Sequence, residues 1–173
     1  MIKRPWPTWE KKMVESFGGS LNLVIWIIAT LGAGYYSYRC LFGTRGMIDQ
    51  YGAGDGAAFP LVLIGTFAGA GFIMGIVILI SGPQHAWAFV TYSFVQSVLG
   101  IIFGLRILRS EWAEVDGVKM SNEFWISPAV FTALYGFLLF NMQEILYVRK
   151  PLAKLEIEAI LLSYRTLRWP LNS

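Results

Sequence analysis

The chain has 173 residues, of which 55% are hydrophobic and only 14% charged, with a mean hydropathy of +0.54. A soluble domain carries about 25% charged residues, so these proportions exclude an ordinary soluble fold. The net charge of +3 sits mainly near the chain ends and does not suit nucleic-acid binding, and the single cysteine, Cys40, excludes an internal disulfide or a cysteine-based metal cluster.

Residues 1–20 carry Lys3, Arg4, Lys11 and Lys12 against Glu10 and Glu15. Trp9, Met13 and Phe17 recur at four-residue spacing and therefore share one helical face, with Thr8 as the candidate cap. This pattern predicts a short amphipathic helix lying at the membrane interface and ended by Gly18 and Gly19. A first span follows at 21–38. Tyr35, Tyr36 and Tyr38 mark its far interface and Arg39 stops it. It is of spanning length and lacks a clean cleavage site after it, so it reads as an uncleaved helix and not a signal peptide.

Residues 41–58 read as a loop, because Thr44, Gly46, Gly52, Gly54, Asp55 and Gly56 are turn formers. The run YGAGDGAA is a poor phosphate loop. It lacks the G-x-x-x-x-G-K-[ST] pattern and a preceding strand, and Asp55 would repel phosphate. The second span, 59–80, is FPLVLIGTFAGAGFIMGIVILI, with Pro60 suited to its first turn. It holds two G-x-x-x-G pairs, Gly65 with Gly69 and Gly71 with Gly75. Lipid gives no hydrophobic drive between helices, so small residues that permit close approach are expected to mark the packing face.

Ser81-Gly82-Pro83-Gln84 is a tight turn that predicts antiparallel contact between the second and third spans. The third span, 86–105, contains Gln96 and Ser97 near its middle and Gly100 and Gly104 at small-x-x-x-small spacing. A mid-membrane amide needs a partner, so Gln96 is expected to face another helix. The loop from Arg106 to Trp125 is the most polar stretch and a plausible docking loop. Ser127 as cap and Pro128 as first helical residue predict a fourth span over 126–148. Glu144, near its end, could pair with Arg149 or Lys150. Residues 149–173 alternate Leu152, Leu155, Ile160, Leu162 and Leu167 with charges, which predicts an amphipathic tail too polar to span.

The expected architecture is therefore an all-α, integral membrane four-helix transmembrane bundle. It occupies 21–148 as one domain, with short amphipathic interfacial helices at both ends. The N-terminal segment holds four Lys or Arg and the tail five, against two (Arg39, Arg45) and three (Arg106, Arg109, Lys119) in the opposite loops. That excess places both termini in the cytoplasm, and the lack of an evident transit peptide points to a bacterial inner membrane.

Chemistry is scarce. No Asp, Glu, Lys, Arg or His lies in the central part of any span, and no nucleophile with a nearby base can be assembled. This points away from an enzyme, with no catalytic residue and no metal site assigned. His85, the only histidine, is the one candidate cofactor ligand, for a haem iron or a chlorophyll magnesium. Lone interfacial histidines are more often plain polar anchors, and no cofactor is identified by the sequence. Cys40 reads as an inert small residue.

The function expected is a non-catalytic accessory subunit of a larger membrane complex. It would pack through Gly65, Gly69, Gly71, Gly75, Gly100 and Gly104, with the bilayer and other membrane-protein subunits as partners and no nucleic acid. An energy-converting host, respiratory or photosynthetic, is suggested by analogy. The alternative is a small carrier or channel for a neutral or lipophilic molecule such as a quinone or lipid, with Thr66, Gln96 and Ser97 as a polar intramembrane site. A membrane enzyme supplied with a cofactor by a neighbour ranks third.

Overall fold

The computed structural model describes residues 8–110, 119 and 121–147. The predicted tail helix over 149–173, most of the second long loop, and any partner of Glu144 at Arg149 or Lys150 lie outside the described residues. All described elements are helical. They are α1 (Thr8–Ser16), α2 (Ser20–Phe42), α3 (Thr44–Tyr51), a 3-10 turn (Asp55–Ala57), α4 (Ala58–Ser81), α5 (Trp87–Leu108), α6 (Glu123–Asn141) and α7 (Gln143–Leu146). Four of these, α2, α4 with its preceding turn, α5 and α6, are long and apolar enough to cross a membrane.

The join between α1 and α2 shows how the local sequence sets the backbone. Gly18 takes φ +69°, its N–H bonds to the Glu15 carbonyl at 3.0 Å, and the Gly19 N–H reaches back to Val14 at 2.9 Å. These two bonds close α1 with the left-handed cap that glycine makes accessible. The Asn22 amide donates to the Phe17 carbonyl at 2.9 Å and ties the start of α2 to the same corner. Phe17 is fully buried there, edge-on to Trp26 at 5.6 Å, whereas Trp9 at the start of α1 stays exposed.

The long helices form two antiparallel hairpins. α2 packs chiefly on α4 and α5 chiefly on α6, and a lighter α2–α6 contact joins the pairs. The expected close packing of the second span on the third is thus not observed, since α4 and α5 barely touch. The short connection sets their proximity at one end only. The glycines of α4 are matched to side chains of α2, and this decides the pairing.

The main core lies at the end of the bundle that carries α1, the α4–α5 turn and α7. Leu23, Trp26 and Ala29 of α2, Ile78 of α4, Val90 of α5, and Tyr135 and Leu138 of α6 meet there, together with Phe17, Met142 and Leu146. Phe89 bridges Trp26 (6.2 Å) and Tyr135 (6.4 Å) between ring centroids, so aromatic contacts run across the junction of the hairpins.

Three local expectations are revised. Residues 41–58 are not a loop throughout. Thr44–Tyr51 is a helix, capped by Gly52 in the left-handed region and anchored by buried Met47 and Ile48. The fourth span starts earlier than Ser127, at Glu123, where the Glu123 N–H is met by the Ser121 hydroxyl at 3.2 Å. Pro128 therefore lies inside α6 and not at its first position. That span also ends at Asn141, with a break at Met142 before the short α7 (Gln143–Leu146). The first span extends past 38 to Phe42.

Candidate functional site

The α2–α4 seam is built on bare backbone. The Trp26 indole N–H donates to the Gly75 carbonyl at 3.1 Å, and the Ser37 hydroxyl donates to the Gly65 carbonyl at 2.8 Å. Both bonds cross between helices, and each lands where α4 carries no side chain to block it. A Cβ at Gly65 would lie 2.7 Å from the Cys40 Cβ, and one at Gly69 would lie 2.8 Å from the Ser37 Oγ. One at Gly75 would lie 2.6 Å from the Thr30 Oγ1. The small-for-large exchange also runs the other way, because Phe72 of α4 fills the space beside Gly34 of α2. Gly71 is the exception among the glycines singled out in this span. It faces open space, so the second G-x-x-x-G pair contributes only Gly75 to the contact.

The α5–α6 seam uses a proline. Pro128 has no N–H, so the Phe124 carbonyl one turn earlier has no helical donor. Gly104 lies against that carbonyl, where a Cβ would come within 2.6 Å of the oxygen, and Gly100 receives the Pro128 ring. A glycine Cα–H can approach such a carbonyl closely. Gly136 of α6 in turn accommodates Phe94. The hydroxyls of Thr91 and Thr132 are buried without a partner among the described residues.

The three polar candidates do not converge. Thr66 is exposed and its hydroxyl bonds to the Leu63 carbonyl in its own helix at 2.7 Å. Ser97 is buried and bonds to the Phe94 carbonyl at 2.8 Å. Gln96 points outward from α5, away from the other helices of this chain, contrary to expectation. His85 is exposed in the α4–α5 turn and adopts φ +69°, the one left-handed non-glycine residue among those described. No group of His, Cys, Asp or Glu among the described residues is placed to hold a metal ion.

The opposite end of the bundle is polar. Arg45 lies 2.7 Å from Asp55 and 3.4 Å from Asp49, and Arg39 donates to Gln50 at 2.5 Å. Tyr51 donates to the Glu123 carboxylate at 2.5 Å and sets its ring against Phe124 at 5.3 Å, joining α3 to the start of α6. Partial burial, and then the bond to the anionic Glu123, push the Tyr51 phenol up to about 12. An open depression of about 460 Å³ at the end of α5 is lined by Ile102, Leu105, Arg106, Arg109 and Ser110. This mixture of apolar and cationic side chains suits the level where hydrocarbon meets headgroups.

Trp26, Ser37, Thr30 and the freed Phe124 carbonyl carry much of this geometry, and none stood out in the sequence. The signal for Trp26 was its place in a span away from the aromatic belts, where an indole N–H needs an acceptor. Comparison with protein families, curated proteins and solved structures found no match. The class is defined by the chain itself: every element among the described residues is helical and four of them are long and apolar enough to cross a membrane, which makes this a multi-pass membrane protein.

Proposed function

We propose that this chain is a non-catalytic accessory subunit of a larger membrane complex, with an energy-converting assembly, respiratory or photosynthetic, as the host class. The observation that supports this reading is how the polar and small residues of the spans are used. Trp26, Ser37, Gly65, Gly75, Gly100 and Gly104 are all engaged in helix-to-helix contact. Thr66, Gln96 and Ser97 occupy separate faces, which does not favour a shared path for a transported molecule. Meanwhile α4 packs mainly on α2 and leaves Phe59, Phe67, Ile73 and Ile80 exposed along its length, an apolar surface available to neighbouring subunits or lipid.

In this reading the amphipathic α1 and the C-terminal tail rest at the cytoplasmic interface of a bacterial inner membrane. The Lys and Arg excess on that side supports the orientation. Purification in mild detergent, followed by mass spectrometry and an absorption spectrum, tests the assignment. The expected result is elution in a large assembly whose partners name the host. Elution as a small colourless oligomer overturns it. Reporter fusions at each end test the orientation, and an external terminus would overturn that part alone.

A further inference from the structure

The outer face of α5 carries a polar group at the depth where lipid offers it nothing. Gln96 is exposed and lies well inside the helix Trp87–Leu108. At a rise of about 1.5 Å per residue, its amide sits roughly 14 Å from one end and 18 Å from the other. The hydrocarbon core is about 30 Å thick, so Gln96 lies near the midplane, and its side chain is too short to reach either surface. A primary amide has two donors and two acceptor lone pairs. Ser97 and Thr66 satisfy themselves on carbonyls of their own helices, but Gln96 makes no such bond among the described residues. An unsatisfied polar group in hydrocarbon costs several kcal/mol.

The residues around it have a regular spacing. Tyr92, Gln96, Leu99 and Phe103 are all exposed and are separated by steps of four, three and four. That is the seam spacing of a left-handed helix pair, with Gln96 as its one amide and the Tyr92 hydroxyl a turn away. A single amide in an otherwise apolar seam is a recognised way to fix register and partner number.

We propose that two copies of this chain associate through α5, with the Gln96 amides hydrogen-bonded to each other across a two-fold axis along the membrane normal. The symmetry selects a second copy as the occupant. Copies inserted in one orientation share their depths, so a midplane residue close to the axis meets its own counterpart. An amide complements itself, as donor and acceptor in both directions. Leu99 and Phe103 pack on one side of the amide pair and Tyr92 on the other. The pairing does not depend on whether the chain also joins a larger complex.

The test uses the full chain in lipid vesicles and in native membranes. Energy transfer between labelled copies is followed as lipid dilutes the protein, for the wild type, Gln96→Leu and Gln96→Asn. Gln96→Leu is expected to weaken self-association by roughly three- to tenfold, the range of interhelical side-chain bonds in membranes. Gln96→Asn, which keeps the amide, should retain most of it. Oxidation of Leu99→Cys in native membranes should trap a homodimer, with Ile73→Cys on α4 as the control that does not. Self-association unchanged in Gln96→Leu overturns the proposal, as does a wild type that stays monomeric on dilution. Leu99→Cys joined only to a different polypeptide also overturns it and assigns the α5 face to another subunit.

Discussion

Gly104 faces a backbone carbonyl that cannot move aside, whereas Gly71 faces open space. The two should therefore respond oppositely to the same methyl group. Gly104→Ala is expected to lower stability by about 1–3 kcal/mol, the usual range for overpacking. Gly71→Ala should leave it unchanged or slightly raised, since alanine is the better helix former. Unfolding in mixed detergent micelles would separate the pair. His85 gives a second contrast. A left-handed backbone costs an L-residue roughly 1–2 kcal/mol, more for a β-branched one. His85→Gly should stabilise the α4–α5 turn and His85→Val should destabilise it. Loss of stability in His85→Gly would instead mean that the imidazole makes a contact worth more than the strain. Trp26→Phe keeps the ring packing but removes the bond to the Gly75 carbonyl, and should cost about 1 kcal/mol.

Among the elements, α3 has the least expected role. Its single turn-to-helix stretch was obscured in the sequence by Gly46 and Gly52, which ordinarily mark loops. The contrary signal was the apolar pair Met47 and Ile48 beside the Arg45–Asp49 pair at helical spacing, too short a pattern to outweigh the glycines. The place of Pro128 is obscured for a related reason. A proline after serine normally opens a helix, and only the chain upstream, from Ser121 to Glu123, shows that this one starts earlier. The existence and approximate limits of the four spans were legible, because each is a long uncharged run. The outward position of Gln96 was not, because a helix has no intrinsic inside until its neighbours are known.

The contact that α3 makes is also testable through pH. Tyr51 is raised from 10.0 to about 12, so its neutral form is favoured by the fold. The stabilisation it contributes is present below pH 10 and is lost as pH rises through about 12. In a titration of tyrosinate absorbance, Tyr51→Phe should remove about one tyrosine's worth of the amplitude that appears near pH 12. An unchanged late amplitude in that variant would mean that the phenol is not held as described.

For the whole molecule, the distribution of the core matters more than its size. The main cluster of buried side chains lies at the end with α1 and α7, while the other end holds a smaller set, Cys40, Met47 and Ile48, and is linked by Tyr51, Glu123 and Phe124. Neither feature could be read from periodicity, which assigns each helix an apolar surface without saying which surfaces meet. The short α4–α5 turn invited the wrong pairing because it constrains one end of two helices and not their full length.

The division into two hairpins bears on how the protein is made. Each hairpin pairs helices that follow one another closely along the chain, so most contacts join nearby stretches. Sequence-local structure of this kind forms early and rapidly, and chains fold from the N-terminal side during synthesis. The α2–α4 hairpin can thus close in the bilayer while α5 and α6 are still in the ribosome. The α5–α6 seam, the light α2–α6 contact, the Tyr51–Glu123 bond and the shared core around Trp26, Phe89 and Tyr135 must wait for the later spans. A nascent chain arrested far enough beyond Ser81 for α4 to leave the ribosome, but before α6 is made, is expected to give oxidative cross-linking between cysteines placed at Ser37 and Gly69, which face each other across the seam.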